Sequence, residues 1–397
     1  MPLLPPFSLA SESRLLAEAI LGAMAFPFCN RVLLAGCLLA VAGGRLYAQA
    51  AKTDGVSAQT LAWTMQDSGT TAGLRGIYSV DGRVAWASGT DGTVLKTVDG
   101  GAHWMKCAVP DADTDGATLD FRGVQAWDAQ MAIVMASGPG EKSRLYKTTN
   151  GCKSWALLFK NPDTPDGFFD CVWLHPTGRG ILLGDPVNQQ FSIFETTDGG
   201  KNWKRDSREG LSVKTKPITA FAASNSLFSQ SRSGYMRGFV TGGPGGAYLF
   251  EAWTSEAWTR IAIPVTAGTD SSGVFSLGFR FTPPRCTDCD HPSEQIFVAV
   301  GGDYTKPSED SGTAAWSTDL GQTWTVSAKP PHGYRSAVAW SEDLKAWITV
   351  GTNGSDISRD DGKTWQPVDD GSWNALSLPF VVGPKGRIAR QSVASGK

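Results

Sequence analysis

The sequence is short of the residues on which most enzyme chemistry depends. Among 397 residues only His103, His175, His291 and His332 are histidine, and no two of them stand at metal-ligand spacing. Basic residues are not in excess: 36 Lys and Arg face 38 Asp and Glu, so the charge pattern excludes the basic footprint of a nucleic-acid binder. After residue 50 no stretch approaches the ~20 apolar residues of a membrane helix, and the Leu/Ala/Glu/Lys periodicity of helical bundles is missing as well. Beyond residue 50 there are Cys107, Cys152, Cys171, Cys286 and Cys289, an odd set that leaves at least one thiol unpaired if the others pair. Cys286-Thr-Asp-Cys289-Asp-His291 is one residue off the haem-attachment spacing and has no second ligand pair for zinc. A small loop disulfide is preferred there. No cofactor is expected.

What the chain has in quantity is Gly (46) and Trp (15), and it spends them on one repeated phrase. Thr196 to Trp203 reads Ser/Thr-x-Asp-x-Gly-x-x-Trp. Thr97 to Trp104, Ser317 to Trp324 and Ser358 to Trp365 match it in full. Thr148 to Trp155 has Asn150 for Asp and Cys152 for Gly, and Glu251 to Trp258 keeps little but the Trp. The phrase describes a hairpin: Asp caps backbone N–H groups, Gly takes a positive φ, and Trp covers the turn from the next strand. Measured by this Trp, the marks fall at 104, 155, 203, 258, 324 and 365, with Trp63 a seventh mark 41 residues before the first. A period of ~40–50 residues holding four short strands is that of propeller blades. The expected fold is therefore all-β, a seven-bladed β-propeller of four-stranded blades. The tail after Trp373 has only three strands, and the N-terminal strand around Trp63 supplies the fourth, closing the ring. Blade 4 is expected to begin with an inner strand at Thr219–Ser224, and blade 5 to carry an insertion, Thr282–Ser293.

Residues 1–50 read as a leader. Arg31 precedes an apolar run from Val32 to Ala42, and Ala48-Gln49-Ala50 offers a signal-peptidase site. Met24 is an alternative start, and Leu34-Ala35-Gly36-Cys37 an inferior lipoprotein-box candidate. Residues 51–397 then form one exported propeller domain, periplasmic or secreted, without an integral membrane segment and expected to be a monomer.

The repeated turn is similar to the Asp-box, or bacterial neuraminidase repeat. With the signal peptide, Gly184-Asp185-Pro186 and Gly301-Gly302-Asp303-Tyr304, residues 58–391 resemble the photosystem II stability/assembly factor family. That resemblance implies a non-enzymatic scaffold that holds a protein intermediate during assembly; its photosynthetic client is not implied. Sialidase chemistry fits poorly, because Arg260-Ile261 continues to Ala262 instead of Pro and seven blades replace six.

Blade geometry sends the second-to-third turns and the blade links to one face, around the channel mouth. Arg75, Arg122 and Arg335 open inner strands at matching positions (LRGI, FRGV, YRSA), Asp170 takes that place in the third blade, and Asp185, Asp303 and Tyr304 stand at the ends of second strands. These seven are the candidate ligand- or partner-binding residues, with Arg suited to an anionic group. Alternatively each Arg fastens adjacent blades through a carboxylate. Three functions follow in order of preference: a scaffold for a protein client, a polysaccharide-directed hydrolase or lyase that would act on a glycan, and a small-ligand or metal-binding propeller. A close carboxylate pair on the mouth favours the second, and a broad mouth without one favours the first.

Overall fold

The computed structural model describes residues 60–230, 236–253, 256–281 and 295–394. The leader, the expected insertion in blade 5, and with it Cys286, Cys289 and His291, lie outside these residues. The described chain forms seven four-stranded antiparallel sheets. Six are simple meanders in chain order: residues 74–106, 121–160, 169–205, 228–262, 272–326 and 337–369. The seventh has Ala375–Ser377 innermost, then Phe380–Val382 and Ile388–Ala394, and its outer strand is Thr60–Gln66 from the other end of the chain. That pairing runs without a break from Thr60 opposite Ala394 to Gln66 opposite Ile388. The ring is a closed seven-bladed propeller.

Its apolar cores lie between blades, as expected for twisted sheets stacked face to face. Trp86 and Val94 of blade 1 meet Phe121, Val124 and Tyr146 of blade 2; Val298 of blade 5 meets Trp347 and Trp365 of blade 6. Leu74 and Ile77 of blade 1 pack on Phe380, Val382 and Ile388 of blade 7.

The repeated turns are hydrogen-bonded as their sequence requires. In the third blade the Asn202 N–H donates to Asp198 Oδ1 at 3.0 Å, and the Gly200 N–H donates to Thr196 Oγ1 at 3.1 Å. The same pattern recurs with Asp99, Asp319 and Asp360, and with Asn150 in the second blade. The fifth position needs a positive φ: Gly101, Gly200, Gly321 and Gly362 lie between 80° and 86°. Cys152 holds this place in blade 2 with φ 65° and forms a disulfide with Cys107 at the end of blade 1, Cα to Cα 5.3 Å. Two neighbouring blades are thereby joined covalently. Cys171 is free and buried.

The Asn202 N–H, then its side-chain amide, hold the exposed Asp198 carboxyl at about 2, below its ordinary 3.8. A depressed acid stabilises the fold fully above its unfolded value and loses that contribution as pH falls toward the folded one. Asp198→Ala is therefore expected to melt slightly earlier than the wild type at pH 7 and at pH 5. The two melting curves should converge between pH 4 and pH 2. A gap that persists at pH 2 would mean that the side chain acts through something other than its charge. Partner binding should be unaffected.

One expected element is displaced. The inner strand of blade 4 is Phe228–Gln230, and residues 219–224 form no strand beyond an isolated bridge of Thr219 to Gly242. Their backbone is occupied elsewhere. Ala222 O accepts from Arg122 Nη1 of blade 2 at 3.5 Å, and Ser224 Oγ donates to the Ser336 carbonyl, next to blade 6, at 2.8 Å. Asn225, with φ 57°, bonds both N–H and C=O of Val172 in blade 3, and Ser226 Oγ reaches Ser276 in blade 5 at 2.7 Å. Only a segment inside the ring can bond to blades 2, 3, 5 and 6 together. Residues 222–226 plug the channel.

Candidate functional site

Above the plug is a pocket of about 520 Å³, the mouth of the channel. Its wall is built by a backbone device repeated around the ring. The first two strands of blades 1, 2, 3 and 5 share a register shift, between Leu74 and Gly76, Phe121 and Gly123, Phe169 and Cys171, and Val274 and Ser276. The residue skipped each time is Arg75, Arg122, Asp170 or Phe275, and all four line the pocket. A β-bulge leaves one residue out of the ladder and re-aims its side chain. Here four bulges aim two cations, one acid and one aromatic ring at the same space.

Blade 6 has no such shift: its strand begins at Ala337, paired to Val350. Arg335 precedes the ladder and turns inward, where it is fully buried. Its Nε donates to Asp356 Oδ2 at 2.7 Å, Nη2 bonds the same carboxylate, and Nη1 donates to Asn353 Oδ1 and the Tyr334 carbonyl, each at 2.6 Å. Arg335 is thus a structural ion pair within its own blade, and the pocket does not include it. Asp303 is also set back. It is 6% exposed, accepting from the Thr305 N–H at 2.9 Å and hydroxyl at 2.7 Å. Arg75, Arg122, Asp170, Asp185 and Tyr304 are brought together in the pocket.

The two mouth arginines share one carboxylate. Asp120 of blade 2 accepts from Arg122 Nε at 2.8 Å and lies 3.7 Å from Arg75 Nε. The side chains of Arg75 and Arg122 stay 38% and 29% exposed, so the fastening leaves much of both guanidiniums facing the pocket. Arg122 also lies over the Phe168 ring, 5.8 Å from its centroid.

On the neighbouring blade 3 stand Asp170, fully buried, and Asp185, whose Oδ1 accepts the Ala220 N–H at 3.1 Å. Burial, and then the Asp185 charge, push the Asp170 carboxyl well above the usual carboxylate range against the pull of Arg122. Burial pushes Asp185 up to about 6. Beyond Tyr304, sequence reasoning missed the aromatic part of the wall. Phe221, next to the plug, stacks on Phe275 at 3.9 Å, Tyr334 meets Phe275 edge-on at 4.8 Å, and Tyr304, half exposed, closes the cluster at 6.4 Å from Tyr334. The signal for Phe275 was present: Val274-Phe275-Ser276 stands where the other blades have Leu74-Arg75-Gly76 and Phe169-Asp170-Cys171.

Fold and pocket together define a plugged seven-bladed propeller with a mixed-charge, aromatic-walled mouth. No protein-family model matches the chain. It is homologous to the photosystem II assembly factors of the Ycf48 and HCF136 type. It is 21% identical over 347 residues to photosystem II assembly lipoprotein Ycf48 of Synechococcus sp. (strain CC9902), covering 84% of this chain and 89% of that one. To the chloroplastic stability/assembly factor HCF136 of Oryza sativa subsp. japonica it is 25% identical over 125 residues, 32% of this chain and 28% of the other. Among solved structures it superposes on YCF48 bound to D1 peptide with a TM-score of 0.55 at 20% identity, covering 83% of this chain and 96% of that chain. YCF48 from Cyanidioschyzon merolae gives 0.52 at 20% identity, covering 83% and 98%.

Proposed function

We propose that this chain is an exported, non-enzymatic scaffold that holds a segment of a client protein at its channel mouth. The observation that carries the reading is the convergence of four bulge residues from four blades on one pocket large enough for a few side chains. Two partly exposed guanidiniums and a set of aromatic rings are the groups that dominate protein-binding hot spots. The homologous Ycf48 described as bound to D1 peptide supports a peptide as the occupant. Export rests on the leader alone, and the client is not carried over from the relatives.

The carboxylate pair is the one feature that suits a hydrolase. Asp170 and Asp185 share the pocket with the Arg75 and Arg122 guanidiniums, which suit a charged polypeptide segment better than a neutral glycan. The scaffold reading is therefore preferred.

The test is a selection of random displayed peptides against the folded chain, followed by affinity measurement on Arg75→Ala/Arg122→Ala. Charge-assisted hydrogen bonds contribute about 1.5–3 kcal/mol where buried, so a loss of more than about tenfold is expected with the fold intact. The Asp120 contacts are partly solvent-screened, and their loss should cost about 0–1 kcal/mol of stability. Unchanged affinity in a folded variant would move the site elsewhere, and turnover of a polysaccharide would favour the hydrolase.

A further inference from the structure

We propose that Asp170 and Asp185, with the Phe221–Phe275 ring stack in the same pocket, form a subsite for a cationic side chain, lysine or arginine, of the bound segment. This rests on the mouth being the client site and adds which chemistry one part of it selects.

Neither carboxylate has an ion-pair partner among the described residues. Asp170 Oδ2, buried on a pocket-lining residue, has no hydrogen-bond partner, and neither has Thr219 Oγ1 in the same wall. Arg122 lies near enough to act on Asp170 electrostatically, yet its Nε is committed to Asp120 and its Nη1 to the Ala222 carbonyl. A fully buried acid beside a second, partly buried one, with no cation between them, is costly to ionise. A guest guanidinium or ammonium would supply the missing charge and donate to the unpartnered oxygens. Aromatic faces beside a carboxylate suit such a guest, since their quadrupoles attract cations once water is displaced. Phe221 and Phe275 stack with 15° between their planes, and Tyr304 and Tyr334 continue the wall.

The guest must compete with protons. Asp185 titrates near 6 and burial raises Asp170 well above the usual carboxylate range, so Asp185 is mostly protonated at pH 5 and the pair gains charge as pH rises past 6. Arg122, Arg75, Asp270, Tyr304 and Tyr334 share the pocket, and among them only Arg122 acts directly on Asp170.

The experiment measures binding of N-acetyl-arginine methylamide to the full chain by saturation-transfer NMR. The lysine analogue runs beside it, and the norleucine analogue is the uncharged control. Three results are expected. The cationic probes bind at least tenfold more tightly than norleucine at pH 7.5. Their affinity falls about tenfold by pH 5, following the loss of charge on a group titrating near 6. Asp170→Asn/Asp185→Asn abolishes the preference, and Asp185→Asn alone weakens it should the double variant not fold.

Arg122→Ala separates this inference from the scaffold reading. Removing the competing cation should strengthen the arginine probe two- to threefold while weakening the displayed peptides. Equal binding of norleucine and arginine, an unchanged preference in the Asn variants, or calcium chloride alone occupying the pair would overturn the proposal. The scaffold reading would survive any of these if the Arg75→Ala/Arg122→Ala variant still lost its peptides.

Discussion

Arg335→Ala should destabilise the protein by about 3–5 kcal/mol, because it strips a buried carboxylate of its guanidinium and leaves it His332 alone, whose Nδ1 lies 2.8 Å from Asp356 Oδ1. Asp356 and Arg335 are both wholly inaccessible, and the guanidinium also holds Asn353 Oδ1 and the Tyr334 carbonyl. Against a total stability of about 5–15 kcal/mol, the melting temperature should fall by roughly 10 °C. The control is the pair removed together: Arg335→Met/Asp356→Leu leaves no orphaned charge and should recover most of the loss. Chemical denaturation of the wild type, the single and the double variant measures all three. If the single variant lies within about 1 kcal/mol of wild type, the pair is not a fastening and Arg335 returns to the list of binding residues.

Deleting residues 51–66 should be more damaging still. It removes the whole of Thr60–Gln66, the outer strand of blade 7, and leaves Ile388–Ala394 as an open edge. Leu61 is 3% exposed, and Trp63 packs on Trp373 with ring centroids 6.2 Å apart while its Nε1 donates to Ser355 of blade 6 at 3.0 Å. Burying an apolar side chain of this size contributes about 1.5–3 kcal/mol, so these two residues together account for a large part of a marginal stability. The truncated protein should aggregate or melt far below the full chain. Trp63→Ala, which keeps the ladder, should show an intermediate fall. An unchanged melt after the deletion would show that the ring does not depend on its N-terminal strand.

The blades were legible because the turn that joins their outer strands needs particular residues at fixed offsets, and so repeats visibly. Trp63 was legible as the missing fourth strand by the same count. The plug was not: Thr219–Ser224 has strand-like composition, and what keeps it out of the sheet is the bonding of residues 220–226 to blades 2, 3, 5 and 6, which no local pattern records. The three arginines show the limit most clearly. LRGI, FRGV and YRSA look equivalent, yet a bulge turns Arg75 and Arg122 outward and its absence turns Arg335 inward. A one-residue change in pairing register decides whether the same side chain faces the pocket or a buried carboxylate. Phe275 was passed over for the related reason that only charged residues were sought at that position.

The pairing of the two chain ends also sets a timetable. Gln66 leaves the ribosome about 320 residues before its partner Ile388 exists. At about 5–20 residues per second the first strand waits roughly 15–60 s with neither edge paired. Blades 1 and 2 pack on each other directly and can join during that interval without reference to the C-terminus. The seam of the ring therefore cannot close until both ends of the chain are present. Until it closes, Thr60–Gln66 is the segment most in need of a chaperone and the readiest to pair with the wrong copy.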